Sequence, residues 1–186
     1  LSFLFTVLCY LLFLNAINMF DGINMQLGMY IFLGFLYLFL FTNNIDYIYL
    51  LVFVLYFIVW NFKGKIFMGD SGSLSLGFFF SYLFINNFNT GNFQSVEQIF
   101  IFMALPGIDM FRLFILRLIK KKNPFKGDRN HFHHLLTNSY GDKKAAYYIF
   151  ALVTLSIAIS YINFFMAVFF LLFIYTGLII FSKINN

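Results

Sequence analysis

The chain has 186 residues, of which 62% are hydrophobic, 24% aromatic and 10% charged. No soluble domain of this size carries that balance, which leaves an integral membrane protein. The formal charge of +5 needs no nucleic acid to explain it, because the basic residues follow the topology set out below.

A helix that crosses a bilayer needs about 20 mostly apolar residues. Seven stretches approach this, near 1–14, 26–42, 47–61, 74–88, 97–118, 145–161 and 163–181. Clusters of Asn, Gly, Asp and Lys separate them and mark water-facing turns, since unsatisfied backbone cannot sit in hydrocarbon. The runs are continuous and do not alternate, which disfavours a strand barrel. The fold expected is all-α, a polytopic transmembrane bundle of about seven helices. Residues 1–186 read as a single domain with polar loops near 15–25, 62–73 and 117–144. Cys9 has no second cysteine to pair with, so it supports neither a disulfide nor a thiolate metal site within one chain. Leu1 opens inside an apolar run without a basic stretch before it, so a signal peptide is not expected and an upstream part is.

If the segments alternate in direction, those three loops and the C-terminal tail share one side. Lys63, Lys65, Arg117, Lys120, Lys121, Lys122, Lys126, Arg129, Lys143, Lys144 and Lys183 all fall there, with Arg112 just inside the membrane edge. Basic residues favour the cytoplasmic face, so this face is expected to be cytoplasmic. The run L-I-K-K-K-N-P-F-K-G-D also suits anchoring to anionic lipid headgroups.

Three polar clusters meet on that face. In N-A-I-N-M-F-D-G-I-N, Asn15, Asn18, Asp21 and Asn24 recur every three residues, so neighbours share a helix face; an ordinary helix end broken by Gly22 would look similar. In G-K-I-F-M-G-D-S-G-S-L-S-L-G-F, Asp70 lies between glycines ahead of an apolar run. One of Asp70 to Ser73 could cap the next helix. The same spot suits a phosphate at a helix N-terminus, or a divalent ion needing one or two carboxylates. The third cluster, D-R-N-H-F-H-H-L-L, holds all three histidines, His131, His133 and His134, beside Asp128 and Arg129. Zinc would want closed N/S ligation and no Cys is near; histidine and arginine donors suit phosphate oxygens better. Asp109, three residues before Arg112, is the remaining ionisable group at membrane depth, where such groups line a cavity or pair with a cation.

Together, N-A-I-N-M-F-D-G, K-I-F-M-G-D-S-G-S-L-x-L-G-F and N-P-F-K-G-D-R-N-H-F-H-H-L-L resemble the signature of the polyprenyl-phosphate N-acetylhexosamine-1-phosphate transferases. The D-R before H-x-H-H is more similar to the undecaprenyl-phosphate GlcNAc-1-phosphate branch than to the phospho-N-acetylmuramoyl-pentapeptide branch. The resemblance implies transfer of a sugar 1-phosphate from a UDP-N-acetylhexosamine to undecaprenyl phosphate with release of UMP, the first membrane step of a cell-envelope polysaccharide. It implies Mg2+, with Mn2+ as a substitute, and a multi-pass protein of the bacterial inner membrane whose site faces the cytoplasm. Which sugar, and whether O-antigen, teichoic acid or capsule follows, is left open, as is a homodimer.

The implied roles are Asn18 and Asp70 as metal ligands, Asp21, Asp70 and His133 as catalytic groups, and Asn24, Asn61, Arg129, His131, His133 and His134 as substrate-binding groups. Asn24 departs from a second bacterial Asp at its position. The family's earlier Asp-Asp pair is also missing, which fits an absent N-terminal half and puts the activity of the chain on its own in doubt. Two competing classes are a transporter relaying protons or metal through Asp109 and the histidines, and a non-catalytic paralogue that binds polyprenyl phosphate.

Overall fold

The computed structural model describes residues 3–124 and 130–184. Among them run eight helices, α1 (Phe3–Phe20), α2 (Gln26–Thr42), α3 (Asp46–Phe62), α4 (Gly69–Asn89), α5 (Val96–Ile119), α6 (Phe132–Tyr140), α7 (Asp142–Ser160) and α8 (Phe164–Ile184). Seven correspond to the apolar runs, so the all-α polytopic expectation holds. The eighth, α6, lies inside what reads in sequence as a polar loop. Its two histidines, His131 just before it and Asn138 mask a short amphipathic helix that buries Phe132 and Leu136, and Gly141 at φ 79° ends it.

Two further boundaries differ from the expected loops. α1 continues to Phe20 and carries Asn15 and Asn18 on its last turns, where Asn15 bonds back to Leu11 O. α4 begins at Gly69, so Asp70 sits in its first turn, and no side chain caps it. Four helices, α1, α5, α7 and α8, are long and apolar enough to cross a membrane. Large apolar side chains such as Phe3, Phe53, Phe169 and Phe173 stand outward, an exposure that suits lipid or another apolar surface and not water.

The interior is an aromatic stack between α2, α4 and α5, with Phe35, Phe80, Phe84 and Phe102 in contact. Within it, Pro106 breaks the hydrogen-bond ladder of α5, because proline has no N–H for the carbonyl four residues back. That carbonyl belongs to Phe102, and the buried Tyr30 hydroxyl donates to it at 2.8 Å. The helix therefore passes through the proline without an orphaned acceptor.

The packing of α1 on α4 places the site. Gly77 brings the two antiparallel helices close: a Cβ there would lie 3.2 Å from Leu14 Cα. One turn further along each helix, the same approach brings Asn18 to Ser73, 2.5 Å apart. Lys143 at the start of α7 lies over the Phe62 ring at the end of α3, and Lys183 of α8 shares a cavity with Lys120 beyond α5. Polar motifs and basic residues thus gather at one end of the bundle.

Candidate functional site

At the junction of α1 and α4, the Ser73 hydroxyl donates to Asn18 Oδ1 at 2.5 Å and lies 3.2 Å from Asp70 O. Asp21 follows directly, its N–H bonded to Asn18 O at 3.3 Å. Burial, and then the nearby charge of Asp70, push the Asp21 carboxyl up to about 6. The two carboxylates are close enough to repel, and among the described residues neither has an ion-pair partner. Two carboxylates, an amide oxygen and a hydroxyl form an oxygen-only donor set that suits a hard divalent cation. No group of three or more His, Cys, Asp or Glu that could hold a metal ion occurs among the described residues.

The chain then turns sharply through Gly22. A Cβ on Gly22 would fall 1.8 Å from His133 Nε2, so only a bare backbone lets the imidazole lie against this turn. Met25 takes a left-handed φ of 72° and donates its N–H to Asn61 Oδ1 at 2.5 Å. Asn61 Nδ2 donates in turn to Ile66 O at 2.8 Å. Both ends of that buried amide therefore hold backbone, tying the 21–25 turn to the connection between α3 and α4. Asn24 sits beside Gly64 of that same connection.

The histidines are organised by a carboxylate that the sequence marks as an ionisable group at membrane depth and not as part of the site. Asp109, 4% exposed, accepts from Arg112 at 2.7 Å, from the Tyr175 hydroxyl at 2.7 Å and from the Phe132 N–H at 3.2 Å. It also receives His131 Nδ1 at 3.1 Å. One carboxylate thus caps α6 from another helix and fixes the His131 ring, leaving Nε2 for other contacts. Arg112 also donates to Asn130 O at 2.8 Å, holding the strand of chain that enters α6. The spacing of Asp109 and Arg112 was visible in sequence; Tyr175, distant along the chain, gave no signal.

His133 is buried and stacks on His131 with ring centroids 5.4 Å apart, while His134 approaches to 4.2 Å. Burial first, and then its two histidine neighbours, push the His133 imidazole down to about 3, so at neutral pH it is uncharged. Asn18, Asp21, Asp70 and His133 are thereby brought together from three separate stretches. Arg129 and Asp128 lie outside the described residues.

Residues 1–87 match glycosyl transferase family 4. The resemblance read from the motifs is borne out at that level, and the matched part contains Asn18, Asp21, Asn61 and Asp70. The chain is 36% identical over 98 residues to an undecaprenyl-phosphate alpha-N-acetylglucosaminyl 1-phosphate transferase of Pasteurella multocida, covering 52% of this chain and 27% of that protein. Proteins of the same name from Escherichia coli K12 and Thermotoga maritima are 34% and 33% identical over 97 and 89 residues. Those matches cover 51% and 47% of this chain, and 25% and 29% of the relatives. The aligned part thus spans about a quarter of the relatives' length. No solved structure matches. The histidine stretch lies beyond the family 4 match, and the contact of Gly22 with His133 is what joins it to the matched half.

Proposed function

We propose that this chain supplies the sugar-1-phosphate transfer site of a membrane enzyme. The enzyme would move N-acetylhexosamine 1-phosphate from a UDP-sugar to undecaprenyl phosphate and release UMP. The observation that carries this reading is the meeting of Asn18, Asp21 and Asp70 with His133 at one end of the bundle. The family 4 match and the names of the relatives support the reaction class.

Attack on a phosphorus that already bears negative oxygens requires that charge to be neutralised. A Mg2+ ion, when bound, would supply that neutralisation at the diphosphate. Asp70, with Asn18 and Asp21 beside it, would hold the ion through oxygen ligands. His133, neutral and pressed against Gly22, would donate a hydrogen bond to a phosphate oxygen and acquire a proton more readily once that anion lies beside it. Asp109 would keep His131 oriented for the same phosphate. Asn24 and Asn61 shape the neighbouring turn, Arg129 and His134 would contact the substrate, and Asn61 would act by holding backbone. A polyprenyl chain stays in the bilayer, so its phosphate meets a soluble nucleotide only at the interface. On this reading the reaction would take place at the inner membrane with the basic face toward the cytoplasm.

Incubation of the full-length protein with undecaprenyl phosphate and radiolabelled UDP-GlcNAc is expected to give a lipid-soluble product that requires Mg2+. Asp70→Asn, a change on an exposed first-turn position, is expected to lower turnover at least about a hundredfold while leaving the folded yield unchanged. Retained turnover would remove Asp70 from the site.

A further inference from the structure

The bundle carries a second polar feature that the transfer reading does not use. A cavity of about 450 Å³ opens between the ends of α5 and α8 and the start of α6. Lys120, Lys122 and Lys183 line it together with Arg117, whose guanidinium donates to Pro124 O at 2.8 Å, over the apolar side chains of Leu113 and Leu135. Arg112 also reaches its wall, with its guanidinium held by Asp109.

The cavity and the carboxylate cluster lie on opposite sides of α6. Leu135 faces the cavity, whereas His133, two positions earlier, lies against Gly22. Two helix positions are separated by about 200° around the axis. Beside the cavity, Leu118 and Ile119 of α5 and Ile180 and Ile184 of α8 are exposed and apolar, so its edge adjoins the lipid-facing surface. A cationic rim, a leucine floor and an apolar flank together suit an anion that carries an acyl tail. A soluble phosphate would use the rim and gain nothing from the rest.

We propose that this cavity binds the phosphate headgroup of an anionic glycerophospholipid in the leaflet on the basic side. The proposal requires only that the chain sits in a bilayer, so it stands or falls separately from the transferase reading.

The test is lipid retention by the purified protein, measured by native mass spectrometry after exchange with equal amounts of phosphatidylglycerol and phosphatidylcholine. Wild type is expected to retain phosphatidylglycerol preferentially. Replacing the exposed Lys120, Lys122 and Lys183 by Gln is expected to weaken that retention roughly tenfold to a hundredfold, from the attraction each lysine exerts near an anionic surface. Lys63→Gln, Lys143→Gln and Lys144→Gln together remove equal charge from the same end of the bundle and are expected to leave retention unchanged. Leu116→Trp, which fills the cavity and keeps every charge, is expected to reduce it as the lysine triple does. Equal loss in both lysine triples, no effect of Leu116→Trp, or equal retention of the two lipids would overturn the proposal. So would full displacement by millimolar inorganic phosphate, which would mark a site for soluble phosphate.

Discussion

Replacing Gly22 by alanine tests whether the first polar motif and the histidines share one site. The added methyl would fall 1.8 Å from His133 Nε2 and 2.3 Å from Cε1. Ordinary contact begins near 3.4 Å, so the ring must retreat by the difference, about 1.6 Å. It has little room to do so. His133 is 2% exposed, the His131 and His134 rings flank it, and His131 is tied to Asp109. Gly22 itself does not occupy the left-handed region, so alanine meets a clash without backbone strain. Forced overpacking of this kind costs about 1–3 kcal/mol. A displacement beyond 1 Å in a site that depends on alignment lowers turnover about a hundredfold.

Thermal unfolding in detergent reads the first consequence. Modification of His133 by diethyl pyrocarbonate, followed by peptide mass spectrometry, reads the displacement without any need for activity. In wild type the ring is covered and reacts slowly; in Gly22→Ala it is expected to react several-fold faster. The double variant Gly22→Ala, His133→Ala is expected to be less destabilised than the two single effects added together, because removing the ring removes the clash. Unchanged unfolding and unchanged His133 reactivity in Gly22→Ala would refute the convergence on which the proposed function rests.

Tyr30→Phe removes the donor that satisfies Phe102 O and is expected to cost about 1–3 kcal/mol by chemical or thermal unfolding, since a buried acceptor is left alone. Adding Pro106→Ala supplies a new N–H to that carbonyl and is expected to recover part of the loss; a purely additive result would refute the pairing. His133 predicts an acid sensitivity, because its folded value near 3 lies below the ordinary 6.5. The stability it confers by staying neutral is complete above about pH 6.5 and is lost as pH falls toward 3. His133→Gln is expected to flatten the unfolding profile in that window, and an identical profile would show that another group governs it.

Much of the fold was legible because membrane helices announce themselves by composition. The apolar runs located seven helices, and the basic residues marked the end where the motifs collect. What stayed hidden has a common physical reason: it depends on pairing between segments far apart in sequence. α6 reads as loop in the sequence because Phe132 and Leu136 find their cover on other helices, and its first N–H is capped by Asp109 from α5. Ser73 looked like a cap for its own helix, yet its hydroxyl serves Asn18 of α1. Asn61 resembled a substrate contact, yet its amide is engaged at both ends by backbone. Tyr175, on the last helix, could be linked to Asp109 only once the bundle had closed.

The carboxylate cluster makes a last, quantitative demand. Asp21 is held near 6 by burial and by Asp70, well above the ordinary 3.8. Between those two values the folded protein binds more protons than the unfolded chain, so Asp21 lowers stability as pH rises from 3.8 to 6. A divalent cation bound between the two carboxylates would reverse both causes at once, replacing lost hydration with ligation and repulsion with attraction. Binding should therefore expel the Asp21 proton. With a value near 6, Asp21 carries a proton far more often at pH 5.5 than at pH 7.5. Titration calorimetry with Mg2+ in two buffers of different ionisation enthalpy is expected to show proton release at pH 5.5 and much less at pH 7.5. Asp70→Asn is expected to remove both the binding and the release. Mg2+ binding without proton release at pH 5.5 would place the cation away from Asp21, and the site would then need a different set of ligands.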